Sequence, residues 1–358
     1  MKILVLADGR SIHTDRYIAE LKSLGVEVTL ASLEEGKNVD IILKRRTGIA
    51  SLDYFLSAKE IRRLARKYSP DIINPHFASG YGFATAVSGV WRKCPVILHC
   101  LGSDILLSPN KSPLHRARVK YALYRSTQVM ADSEYLKKKT LEINGESSIE
   151  VVPWGVEVAL MQIFDSKIKT VNLRRRPLKI LVPRPHQQIY NNTLILSALR
   201  EFLLSREVII TFPARGDDYE KFRKATKSEI ASGAINFYKY LDRNEYIEFM
   251  SGFDVYLSAT FFDSSPASLL EAMAAGLFPV VCDFPGVREW VDEKTALLFD
   301  PENQESLHDA IEQLLRMPAD VNNILMHNNR VIKEKALFSD NIKKTVNIME
   351  RLVKDAGR

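Results

Sequence analysis

A chain of 358 residues is long enough for about two domains, each able to bury its own core, which excludes a mini-protein or a fibre. With 46% apolar and 26% charged residues it is neither disordered nor collagen-like, and no segment reaches the ~18 apolar residues of a membrane span. The net charge of +6 is moderate. It is concentrated in the first half, at Lys44-Arg45-Arg46, Arg62-Arg63, Arg66-Lys67, Arg116, Arg118, Lys120 and Lys137-Lys138-Lys139. Such runs commonly face solvent on helices; the sharper reading is attraction to phosphate-bearing ligands or an anionic membrane surface.

The opening apolar run is too short for a signal-peptide core, so a cytosolic protein is expected. Short apolar runs at 3–7, 26–31, 40–44, 72–77, 95–101, 127–131 and 149–153 read as strands. Helix-length amphipathic stretches lie between them, as at 14–24, where Tyr17, Ile18, Leu21 and Leu24 form one stripe and Gly25 stops the helix. The charged stretch 164–177, ending Arg174-Arg175-Arg176-Pro177, reads as an interdomain linker. The alternation then resumes, with strands at 178–183, 208–212, 235–240, 254–259, 278–282 and 296–299. The expected fold class is α/β: two doubly wound domains, 1–165 and 166–338, facing a ligand cleft. The tail is helical only, and its last helix, 339–358, is expected to cross back onto the first domain. Cys94, Cys100 and Cys282 are too scattered for a disulfide framework or a metal knuckle.

The stretch from Phe262 to Gly276 carries most of the chemistry. Ser265 suits an N-cap, Pro266 the first helical turn and Gly276 the end, which predicts a short helix directly after a strand. Its free N-terminus forms an anion site, to which Ser264, Ser265 and Ser268 add hydroxyls. Asp263 and Glu271 bracket that site, and carboxylates that repel phosphate accept hydrogen bonds from hydroxyls. A nucleotide sugar fits this pattern; an ordinary capped helix fits the spacing as well.

The segment Asp263-x7-Glu271, followed by Ala272-Met273-Ala274-Ala275-Gly276-Leu277-Phe278-Pro279-Val280-Val281 and Gly286-Val287-Arg288-Glu289, resembles the signature of family 4 retaining glycosyltransferases of GT-B fold. Asp263 stands where their pattern has a first Glu. Pro153-Trp154-Gly155-Val156-Glu157, Gly102-Ser103-Asp104, Ala131-Asp132-Ser133 and Asp254-Val255-Tyr256-Leu257-Ser258 resemble further family segments, in the family's order.

The resemblance implies GT-B architecture, with the first domain on the acceptor side and the second binding the donor. It assigns Glu271 to the nucleotide ribose, Asp263 to the transferred sugar, and the backbone and hydroxyls of Ser264, Ser265, Ala267 and Ser268 to the diphosphate. Arg184 resembles the Arg that clamps the leaving diphosphate, a task suited to a planar fork. One departure is plain: the family's Arg-x4-Lys-Gly becomes Arg184-Pro185-His186-Gln187-Gln188-Ile189-Tyr190 here, without the Lys. Arg215 is one candidate to replace it. On the acceptor side the resemblance points to Gly9 and His13 in the loop after the first strand, to His99, and to Asp104 as the best polar candidate of that domain. His13 as a surface residue, His99 as a buried one and Asp104 as a cap are the plainer readings.

The implied reaction is metal-independent retaining transfer, without a cofactor, from a nucleotide diphosphate sugar, a UDP-sugar above all. The acceptor is a saccharide or lipid-linked glycan. A catalytically weak nucleotide-sugar-binding protein and a GT-B epimerase or hydrolase are the alternatives. No nucleic-acid partner is expected. The basic first domain suggests peripheral contact with the inner face of a membrane.

Overall fold

The computed structural model describes residues 1–168 and 171–357. The chain divides into two compact units. One comprises Met1–Trp154 together with the segment from Ser339 onward, the other Gly155–Phe338. Among the described residues, no helix is long and apolar enough to cross a membrane.

In the first unit the strands are β1 (Lys2–Leu6), β2 (Glu27–Ser32), β3 (Ile41–Ile42), β4 (Ile72–Pro75), β5 (Ile97–His99), β6 (Gln128–Ala131) and β7 (Ile149–Val151). All their ladders are parallel, in the orders β3-β2-β1-β4 and β5-β6-β7. Isolated parallel bridges, Ile73 to Val96 and His76 to His99, connect β4 with the β5 segment. Helices cover both faces of a parallel sheet, which is why β1 and β4 are apolar and buried nearly throughout. The helix Ile12–Ser23 buries Thr14, Tyr17, Ile18 and Leu21. The strand expected at 40–44 shrinks to two residues at the sheet edge, where the Asp40 side chain accepts the Leu30 N–H. Strand order reverses between β1 and β4, so the loops that follow them open side by side. The helix Phe338–Asp355 buries Ile342, Val346 and Met349, and Asn341 donates to the Pro153 carbonyl.

The second unit holds one parallel sheet of β8 (Leu178–Leu181), β9 (Val208–Pro213), β10 (Ile235–Tyr238), β11 (Val255–Ser258), β12 (Phe278–Cys282) and β13 (Leu297–Phe299). Its order, β10-β9-β8-β11-β12-β13, reverses between β8 and β11. Ligands of such sheets sit beyond the carboxyl ends of the strands at that reversal.

The unit boundary at Trp154/Gly155 precedes residue 165, and the segment 164–177 is no linker. The helix Val158–Lys167 buries Leu160, Met161 and Phe164, and Leu173 joins the same core, so this stretch folds with the second unit. Lys169 and Thr170 lie outside the described residues. Val156 pairs with the returning chain, donating to the Ala336 carbonyl and accepting from the Phe338 N–H.

Candidate active site

In the second unit, β8 delivers Arg184 and β11 delivers the loop 259–266 to the reversal point. Arg184 forms a 2.5 Å ion pair with Asp263. Burial works against the guanidinium charge, but Asp263, together with Tyr256 and Tyr190, more than offsets it and holds Arg184 charged. Its Nε is buried without a hydrogen-bond partner, as is the Ser265 Oγ. Buried donors are seldom left unsatisfied, so two of them on neighbouring loops mark a place where a ligand supplies acceptors.

The predicted helix spans Ala267–Ala275, with Pro266 rather than Ser265 at the N-cap position. Proline has no side-chain acceptor to offer, so no side chain caps the first turn and its N–H groups stay open to an anion. Gly276, at φ +77°, ends the helix as expected. Of the serines, Ser268 hydrogen-bonds the Tyr256 hydroxyl at 2.8 Å, and the Ser264 N–H donates to the Asp263 carboxylate. Gly286 leaves room for this loop: a Cβ there would stand 2.4 Å from the Ser264 carbonyl oxygen and 2.6 Å from that of Asp263.

Glu271 lies one turn into the helix, nearly buried. Its partner is Arg243, 2.7 Å away, whose guanidinium also grips Glu157 through both of its forks. Burial opposes the Arg243 charge, and the two carboxylates, Glu271 first, more than restore it. Burial also pushes the Tyr238 hydroxyl up to about 12, with Arg215 working against that shift and Glu271 with it. Where the family pattern has Lys, Ile189 stands with its carbonyl held by the Phe261 N–H and the Thr260 hydroxyl. The adjacent Tyr190 ring lies 5.3 Å from the Arg184 guanidinium.

The first unit gathers its polar residues at the carboxyl ends of β1, β4 and β5. Gly9 donates its N–H to the Ser32 hydroxyl, and a Cβ there would stand 2.3 Å from the Val39 side chain, so the loop permits no larger residue. The exposed His13 lies 6.2 Å from Trp154, ring to ring. His99 is buried and bonded through Nδ1 to Asn74, which also accepts from the Tyr17 hydroxyl. Burial lowers His99 to about 3 and His76 well below the usual imidazole range, so both rings are neutral. Asp104 is 1% exposed. One of its oxygens accepts the Ala78 N–H at 2.7 Å and the other the Leu101 N–H at 3.0 Å. It braces the π-helical turn Phe77–Gly82, and burial pushes its carboxyl up to about 6 against the backbone donors that hold it down.

Sequence reading thus placed Arg184, Asp263, Ser264, Ser265, Ala267, Ser268 and Glu271 in one neighbourhood, and the fold brings them there. It missed Arg243. Arg243 follows Asp242, whose capping box with Glu245 is legible, but no spacing connects it to Glu271.

Residues 2–133 match the family model for glycosyl transferase 4-like domains, and residues 190–334 that for glycosyl transferases group 1. No protein of curated function matches the sequence. Among solved structures, a glycosyltransferase from Rickettsia africae superposes with TM-score 0.78 at 16% identity, covering 99% of this chain and 98% of that one. Sucrose-phosphate synthase from Thermosynechococcus elongatus gives 0.79 at 12% identity, over 99% and 100%. HepE from Anabaena, in complex with UDP and glucose, gives 0.77 at 14%, over 98% and 99%. At these identities the likeness shows the fold, two Rossmann-like domains of GT-B type. The two domain models and that fold together identify the chain as a GT-B glycosyltransferase.

Proposed function

We propose that the protein is a family 4 retaining glycosyltransferase that moves the sugar of a UDP-sugar onto a hydroxyl of a saccharide or lipid-linked glycan. The observation that carries this reading is the Arg184–Asp263 pair beside the uncapped helix Ala267–Ala275, at the reversal point of a parallel sheet. The run Asp263-x7-Glu271 supports family 4, and the HepE structures with UDP and UDP-glucose support uridine as the base.

In this mechanism the diphosphate settles on the helix N-terminus, the Ser265 hydroxyl and the Arg184 fork, satisfying both orphaned donors. Arg184 turns toward the phosphate, and Asp263 becomes available to the hydroxyls of the sugar. Glu271, kept charged by Arg243, accepts from the ribose. As the glycosidic bond lengthens, negative charge grows on the leaving oxygen, where fixed donors stabilise it most. That oxygen takes the acceptor's proton on the face it leaves, which gives retention. Arg184 and the helix N-terminus supply the neutralisation, so the reaction needs no metal. The first unit presents the acceptor through the loop at Gly9 and His13 and the wall at His99. Asp104 acts there by holding the turn after β4. Such an enzyme works in the cytosol, at the inner face of a membrane when its acceptor is lipid-linked.

Ile189 in place of Lys favours a second reading, a weakly active nucleotide-sugar binder. One experiment separates the two. The protein is titrated with UDP, GDP and ADP, alongside Glu271→Ala, and UDP release from UDP-glucose is followed with a panel of acceptors and with EDTA. Acceptor-dependent release that survives EDTA supports the transferase. Nucleotide binding without turnover supports the binder, and no binding at all removes both.

A further inference from the structure

The first unit contains a second concave site, at the opposite end of its strands from His76 and His99. A cavity of about 450 Å³ opens beside Pro70 and Cys94, before β4 and β5 begin. From Pro70 to His76 the chain runs six extended residues, roughly 20 Å. The cavity is lined by Arg62, Arg66, Arg92 and Lys93, with Ser69 and Ser88, and by no carboxylate.

Several basic side chains of this unit find acids: Arg45 pairs with Glu34, Arg46 with Glu60, Lys139 with Glu142 and Arg351 with Glu150. Among the described residues, Arg62, Arg66 and Arg92 pair with none. Two helices end here, Ala50–Tyr68 and Phe83–Ser88, and Arg62 donates from Nε to the Ser88 carbonyl. Each helix C-terminus offsets about half a charge. Set against the three arginines, that compensates roughly one charge, and the rest is focused into a concavity. Arg92 is already ordered, its guanidinium stacked 4.5 Å above Trp91, so little of its freedom is lost on binding.

We infer that this cavity binds a phosphomonoester. A dianion matches the uncompensated charge better than a carboxylate, and its three oxygens accept from several guanidinium forks at once. The volume suits a small molecule or headgroup and not a strand of nucleic acid. The ligand is a soluble glycerol or sugar phosphate, or the phosphate headgroup of a lipid. The cavity belongs to the first unit and the donor-binding residues to the second, and it does not depend on the activity proposed above.

The test is hydrogen exchange on the full chain titrated with glycerol 3-phosphate, read at residues 62–70 and 88–94, which donor-site binding does not report. Wild type is expected to show saturable protection there. Arg66→Glu combined with Arg92→Glu should weaken binding at least tenfold. Lys137→Glu combined with Lys138→Glu, the same change in net charge on another helix, should leave it intact. Vesicles of phosphatidic acid in phosphatidylcholine identify the source. If they bind the protein and glycerol 3-phosphate competes, the ligand is a lipid headgroup; if only the free ester binds, it is a soluble metabolite. The inference is overturned if neither probe saturates at about 10 mM, if the Arg66/Arg92 variant binds like wild type, or if the Lys137/Lys138 variant loses as much.

Discussion

Arg184 is held by an acid that the proposed mechanism also needs, so in that mechanism the ion pair with Asp263 opens as diphosphate binds. Arg184→Ala should lower kcat by about 10²- to 10³-fold, the usual loss when a donor to a developing oxyanion is removed. Arg184→Lys keeps the charge without the fork and should recover part of that; unchanged kinetics in the Ala variant would take Arg184 out of the site. Arg243 acts differently, through Glu271. Its removal leaves the Glu157 and Glu271 carboxylates mostly buried without their cation, a cost of about 3 kcal/mol. Arg243→Ala should therefore raise the donor KM more than it lowers kcat and should also lower Tm, with Arg243→Lys intermediate. Steady-state kinetics on the donor would show the split. Asp263 and Glu271 were legible because they stand on one short segment, a loop and the helix that follows it. Arg243 was not, because the fold alone joins two distant parts of the chain.

At the scale of elements, the helix Ala267–Ala275 has no side-chain cap on its first turn, and in the proposed mechanism that turn receives the diphosphate. Its approach loop is packed so closely on Gly286 that Gly286→Ala should displace Asp263 and Ser264. Overpacking of this kind costs about 1–3 kcal/mol, whereas a 1 Å misplacement of a reacting group costs about 10²-fold in rate. The variant should thus lose far more activity than stability, seen as a fall in kcat/KM with a Tm shift of a few degrees. The alternation of apolar runs and amphipathic stretches was enough to place every strand of both units, since period and length are local properties. Strand order was not local, and neither was the fate of the segment 164–177. Its charges suggested a linker, yet Phe164 and Leu173 are apolar anchors within it, and they decide its place. Ser265 was expected to cap the helix, but Pro266, which cannot extend a turn backwards through an N–H, holds that position instead.

At the scale of the whole molecule, acid stability follows from groups buried in the first unit. His99, lowered to about 3, and His76, shifted in the same direction, stay neutral in the fold, while their unfolded counterparts gain protons below about 6.5. Their contribution is complete above that pH and is lost as pH falls. Asp104, raised to about 6, has the opposite sign: between about 4 and 6 the fold binds its proton more readily than the unfolded chain, so its contribution grows as pH falls. Two histidines against one aspartate leave a net loss of up to about 1.4 kcal/mol per pH unit on acidification. Calorimetry from pH 7 to 4.5 should show Tm falling. Asp104→Asn should start lower, since one backbone N–H loses its acceptor, and should fall more steeply; a flat profile would contradict the neutral histidines.

The first unit is written in two pieces, with the whole second unit between them. A ribosome therefore delivers the helix Phe338–Asp355 only after the second unit, and until then Pro153 lacks Asn341 and the surface that Ile342, Val346 and Met349 cover stays wet. The second unit is contiguous and can close while still tethered, so synthesis imposes an order on maturation that the finished fold no longer displays. A chain stopped at Phe338 should give a protease-resistant 155–338 fragment beside a readily digested N-terminal half, and equal resistance of both would show that the last helix is dispensable.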